Sequence, residues 1–169
     1  MSDLTPPRVL SITEKLLSWP GRLTVTDGDG QPLYECLSNW NFLLPSWTLR
    51  QAGNDLAVCR CKFLSFGRTW VVQTSQERYQ LTRPLWSWRR RVLVEGGAFD
   101  GAELSGNVWD LSFKLTYHNR ILARARGKIL TLRDRHQIEV LDPSAEAELL
   151  TVIMMAQVLI EKRSEQSAD

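Results

Sequence analysis

The run Trp86-Ser87-Trp88-Arg89-Arg90-Arg91 sets two indoles directly before three guanidiniums. Indole rings favour the headgroup level of a bilayer, and guanidinium forks donate paired hydrogen bonds to phosphate oxygens. Further along, Arg124, Arg126 and Lys128 alternate with Ala123, Ala125 and Gly127. On a strand, that period of two puts the three bases on one face and the three small residues on the other. Were the two strands neighbours, Arg89, Arg90, Arg91, Arg124, Arg126 and Lys128, with Trp86 and Trp88, would form one surface for anionic phospholipid headgroups. An ordinary solvated outer face has the same pattern, because charge runs usually point into water. Residue types alone leave both readings open.

Other chemistries find less support. His118 and His136 are far apart in the chain, and Cys36, Cys59 and Cys61 lack paired finger spacing, so neither a metal nor a cofactor is expected. There is no Gly-x-Ser-x-Gly elbow, phosphate-cradling glycine loop or dinucleotide fingerprint. Asp110 beside Trp109 and Glu95 before Gly96-Gly97 are indistinguishable from strand-end carboxylates, so a non-enzymatic protein is expected and no catalytic residue is assigned. A formal charge of +2 and the lack of a recognition motif argue against nucleic acid. The alternative to lipid binding is a protein-interaction or scaffold domain that uses exposed tryptophans among Trp19, Trp40, Trp47, Trp70, Trp86, Trp88 and Trp109.

The elements that would position these groups are mostly strands. A chain of 169 residues, 43% hydrophobic and 24% charged, fits one globular domain with a sizeable core. Three cysteines, an odd number, suit a reducing compartment, and the opening residues lack a signal-peptide pattern, so a cytoplasmic protein, peripheral to membranes if it binds them, is expected. Leu23 to Cys36 reads as a hairpin around Asp27-Gly28-Asp29-Gly30. The same grammar returns from Trp47 to Cys61 around Gln51 to Asp55, and from Phe113 to Arg124 around His118-Asn119-Arg120. Thr69 to Gln73, Arg78 to Leu81, Arg90 to Val94, Ile129 to Leu132 and Gln137 to Val140 are further strand-length runs, with Arg133 to His136 as the last turn. Arg8 to Ser18 suggests a short strand followed by a helical turn.

From Asp142 the pattern changes. Asp142 is a candidate cap, Pro143 suits a first helical position, Glu146 and Glu148 complement the amino-terminal dipole, and Lys162 and Arg163 complement the other end. Between Leu149 and Ile160 only Thr151 and Gln157 are polar, so this helix of about 143–162 is apolar nearly all round. It is too short to span a bilayer, which needs roughly 20 apolar residues, and has no polar face for a surface position. The strands must enclose it, with Ala123, Ala125 and Gly127 facing inward to admit it.

Three stretches carry a resemblance. They are Gly21 to Gly30 with Leu33-Tyr34, Lys62-Phe63-Leu64-Ser65-Phe66-Gly67-Arg68-Thr69-Trp70, and Leu104 to Phe113, followed by the apolar helix. In that order they resemble the LURP-one-related branch of the tubby carboxy-terminal-like superfamily, which is distantly akin to phospholipid scramblases, from about Ser18 to Ile160. The resemblance implies a closed antiparallel β-barrel of about twelve strands around a buried carboxy-terminal helix. It also implies a phosphoinositide-binding precedent among tubby domains, although their lipid-binding residues do not map onto this chain one by one. The expected organisation is an amino-terminal segment at 1–17, one barrel domain at 18–163 and a tail at 164–169.

Overall fold

The computed structural model describes residues 6–15, 22–39, 44–65, 69–84, 90–107, 112–125 and 135–166. Twelve strands run in chain order: β1 (Arg8–Lys15), β2 (Arg22–Thr26), β3 (Pro32–Asn39), β4 (Ser46–Gln51), β5 (Asn54–Cys61), β6 (Thr69–Thr74), β7 (Arg78–Thr82), β8 (Arg90–Glu95), β9 (Glu103–Asn107), β10 (Ser112–Tyr117), β11 (Arg120–Ala125) and β12 (Arg135–Val140). Each pairs antiparallel with its sequence neighbours, and β1 pairs with β12 to close the barrel. Each described strand therefore has a partner on both sides, and none is an edge strand open to another chain. Because β1 contributes to it, the barrel begins at Arg8, ahead of the residue-18 boundary expected from sequence.

Strand alternation divides inside from outside. In β2 to β4, Leu23, Val25, Tyr34, Cys36, Trp47 and Leu49 are buried while their neighbours are partly exposed. Two hairpins close with two residues, Ala52-Gly53 and His118-Asn119, all four at positive φ, the turn whose twist matches that of the flanking strands. At the β2–β3 turn, Asp27 Oδ1 accepts from the backbone amides of Asp29 at 3.0 Å and Gln31 at 2.8 Å. β12 already starts at Arg135, so Arg135 and His136 belong to a strand and not to the expected turn. The expected strand Ile129 to Leu132 lies outside the described residues.

The helix α1 (Ala145–Gln166) fills the barrel. Val152, Ile153 and Met154 are wholly buried and Leu150, Met155, Val158 and Leu159 nearly so. Each such side chain contributes about 1.5–3 kcal/mol by leaving water, an upper bound because the unfolded chain is itself partly collapsed. Ala123 and Ala125 are buried on β11, as the small-residue pattern requires, and Gly127 falls outside the described residues. The amino-terminal cap differs from the expected one. Ser144 caps α1, its Oγ accepting from the Ala147 amide at 3.3 Å, while Asp142 Oδ1 holds the Ser144 amide at 3.0 Å and hydroxyl at 2.6 Å. Pro143 therefore precedes the helix, because the chain must first turn from β12 into the barrel. At the other end α1 continues to Gln166, past the expected limit of 162 and into the expected tail. The side chains of Lys162 and Arg163 lie outside the described set.

The meander gives the barrel two distinct ends. The tight turns after β2, β4, β6, β8 and β10 share one end with the start of α1, here called the entry end. The last residues of β1, β3, β5, β7, β9 and β11 lie at the opposite, far end, toward which α1 runs.

Candidate functional site

The basic residues singled out from sequence sit on β8 and β11, which are not neighbours. β9 and β10 lie between them, so their axes are about 14 Å apart. Register nonetheless links them. Arg91 pairs with Ser105 on β9, Ser105 with Lys114 on β10, Lys114 with Arg124 on β11, and Arg124 with Glu139 on β12. All five belong to the outward face, since Val92, Leu104, Phe113, Ala123, Ala125 and Ile138 beside them point into the core. The result is one outward row containing three cations.

Two of those cations are already paired. Arg124 Nε donates to Glu139 Oε2 at 2.6 Å, and Arg91 Nε lies 3.1 Å from Glu103 Oε1. Lys114 has no acidic partner among the described residues and is exposed. It stands directly opposite Arg124, and like charges so placed repel. Glu139 offsets Arg124 from the other side, whereas Lys114 has no such counter-charge among the described residues. Lys114 and Ser105 were missed because each is an unremarkable alternate residue in its own strand. Their period of two predicts an outward position, but only register places them between Arg91 and Arg124.

The other sequence candidates contribute less. Arg90 pairs with Gly106 in the β8–β9 ladder, and its side chain is not among those described. Arg89, Arg126, Lys128, Trp86 and Trp88 lie outside the described residues. Of the tryptophans, Trp47 and Trp70 are buried, which removes both from any exposed aromatic patch; Trp19, Trp40 and Trp109, like Trp86 and Trp88, fall outside.

A second polar region surrounds the entry of α1. A cleft of about 360 Å³ is lined by Arg8, Tyr34, Gln51, Asp142 and Glu148 with Pro6 and Pro143. Its charges are matched internally: Tyr34 donates to Glu148 Oε1 at 2.6 Å, Arg8 Nη1 lies 2.9 Å from Glu148 Oε2, and Arg120 donates to Asp142 at 2.9 Å. Burial, then the bond to Glu148, pushes the Tyr34 phenol far above its usual range. The Ser144 bonds, aided by Arg120, lower the Asp142 carboxyl below its usual value. This cleft fastens the helix, and no nucleophile–base pair faces it. Two of the three thiols are held protonated by burial, which pushes Cys36 up to about 12 and raises Cys59 well above an ordinary thiol. Among the described residues no cluster of His, Cys, Asp or Glu could hold a metal ion, and no helix is long and apolar enough to cross a membrane.

A closed twelve-stranded antiparallel barrel filled by its own carboxy-terminal helix defines the tubby-like fold. The chain belongs to the LURP-one-related family, whose model it matches over residues 8–158. That span includes β1, in keeping with the barrel's start at Arg8. An X-ray structure of an Arabidopsis thaliana protein is similar, with a TM-score of 0.64 and 15% sequence identity over 94% of this chain and 92% of that one. At that identity the likeness concerns the fold. No curated protein matches the sequence.

Proposed function

We propose that this barrel is a non-enzymatic binding domain that takes anionic phospholipid headgroups on its outer wall. The observation that supports the reading is Lys114, an exposed cation without an acidic partner among the described residues, held opposite Arg124 in the row that Arg91 and Ser105 extend. A phosphate there would relieve the repulsion between the two cations and accept charge-assisted bonds from them, with the Ser105 hydroxyl as a neutral donor. Arg89, Arg90, Arg126 and Lys128, with Trp86 and Trp88, are proposed to enlarge this surface. The non-enzymatic part is supported by the interior, which α1 occupies, and by the entry cleft, whose ionic groups are matched with each other.

Co-sedimentation with anionic and neutral vesicles at low and high salt tests the proposal. Binding to anionic vesicles that weakens with salt is expected, and Lys114→Glu should reduce it several-fold, because an added carboxylate opposite Arg124 completes the cation's neutralisation. Absence of binding to anionic vesicles at both salt concentrations would refute it.

A further inference from the structure

Exposed large apolar side chains are few among the described residues, and most of them lie at one end of the barrel. Among the described residues the large exposed ones are Leu44, Phe63, Leu64 and Ile121, with Phe63 at 69% and Leu64 at 74% exposure. Ile121 lies just after the β10–β11 turn at the entry end, whereas the other three are together at the far end. The Cys61 amide donates to the Pro45 carbonyl at 3.0 Å, which holds the segment after Leu44 against the one that leads into Phe63.

The Phe63-Leu64 turn is built, and it is built under strain. Leu64 has φ +63°, a left-handed conformation that a branched apolar residue seldom adopts. Ser65 secures it: its amide and hydroxyl both donate to the Lys62 carbonyl, at 3.1 and 2.7 Å, and the Lys62 amide donates to Thr69 O at 2.8 Å across the base of the loop. Two large apolar side chains are thus held into solvent by a turn that tolerates an unfavourable backbone angle to do so.

Charge identifies what would cover them. Arg60 and Lys62, both exposed, flank the tip on its strand side, and Arg91 opens the basic row one residue into β8 at the same end. The described far-end connections, 44–45, 62–65 and 83–84, contain no carboxylate. The entry-end connections carry Asp27, Asp29, Glu77, Asp100 and Asp142, which outnumber the bases Arg8, Arg78 and Arg120 at the first positions of β1, β7 and β11. An apolar tip behind which bases stand, on a body whose opposite end is acidic, matches an anionic bilayer, where apolar groups pass the headgroups and bases stay among them.

We infer that Leu44, Phe63 and Leu64 enter the interfacial layer of an anionic membrane and orient the barrel with its entry end away from the surface. The inference rests on the headgroup reading for the anionic preference, but insertion is a separate event with its own readout. The 169-residue chain is compared with Phe63→Ser/Leu64→Ser on monolayers of phosphatidylcholine with and without phosphatidylserine, which report insertion as a rise in surface pressure, and on vesicles containing phosphatidylserine. Wild type should raise the pressure, and the double variant should insert little and partition to vesicles at least about tenfold more weakly. Equal pressure for both proteins, or none for wild type, overturns insertion. Insertion without any preference for phosphatidylserine would overturn the headgroup reading alone. A concentration-dependent dimer in sedimentation that the double variant abolishes would assign the tip to a second copy of this chain and overturn the membrane assignment.

Discussion

Trp47 Nε1 donates to Gln157 Oε1 at 2.8 Å, a bond between the wall on β4 and the helix inside it. Gln157 continues the chain of contacts by donating to Glu161 Oε1 at 2.8 Å, and Arg83 donates to Glu161 Oε2 at 2.7 Å. Nine residues earlier, about 14 Å along the axis, Glu148 is gripped by Tyr34 and Arg8. The transfer of apolar surface out of water does not by itself set the rotation of an all-round apolar helix within an apolar sleeve, because it is not directional. These two polar anchors supply the rotation and the depth. Gln157→Leu leaves the buried Trp47 N–H without an acceptor and should cost about 1–3 kcal/mol in urea unfolding, with Trp47→Phe in the same background recovering part of it.

Ile153 is completely buried midway along α1. Ile153→Ala should destabilise by about 2–5 kcal/mol, and Ile153→Asp, which places an unpaired carboxylate in the barrel, should abolish cooperative thermal unfolding. A folded, cooperatively melting Asp variant would show that the helix can leave its enclosure.

Thr82 Oγ1 is buried and has no hydrogen-bond partner among the described residues. Replacing the hydroxyl by a methyl removes an unsatisfied polar group at constant shape. Thr82→Val is therefore expected to be neutral or to stabilise by about 1 kcal/mol, the reverse of the usual outcome in a core, as read by the urea midpoint.

Gly106 on β9 has φ +149° and lies so close to β10 that a Cβ would meet Ser112 O at 2.2 Å and the Phe113 Cα at 2.6 Å. Both obstacles are backbone. Gly106→Ala should lower stability by at least about 1–3 kcal/mol, and should also disturb the neighbouring Ser105–Lys114 pair, so salt-sensitive vesicle binding should fall with it.

The bonds from Ser144, with Arg120 nearby, lower the Asp142 pKa in the folded protein. A group depressed on folding adds stability that is fully present above its unfolded pKa of about 3.9 and disappears as pH falls through the lower folded value. Wild type should consequently lose melting temperature below about pH 4 more steeply than Asp142→Asn, with the two converging in acid. Parallel pH profiles would remove Asp142 from the linkage.

Local pattern was enough for much of this architecture. The alternation of Leu23-Thr24-Val25-Thr26, the turn residues after it and the period of Ala123, Arg124 and Ala125 act over a few residues, and sequence neighbours pair in every hairpin, so strands and meander were legible. The apolar run from Leu149 to Ile160 likewise required enclosure whatever enclosed it. Three matters were decided only by the tertiary structure. Closure through β1 and β12 joins strands from opposite ends of the barrel sequence, and nothing local in Arg8 to Lys15 specifies its partner. The cap moved from Asp142 to Ser144 because the chain's turn into the barrel, not capping preference alone, sets where helical geometry begins. The basic row depends on cross-strand register, which brings Lys114 to Arg124 and Ser105 to Arg91 from positions that sequence separates; a shift of one residue would have turned the same side chains to the other face.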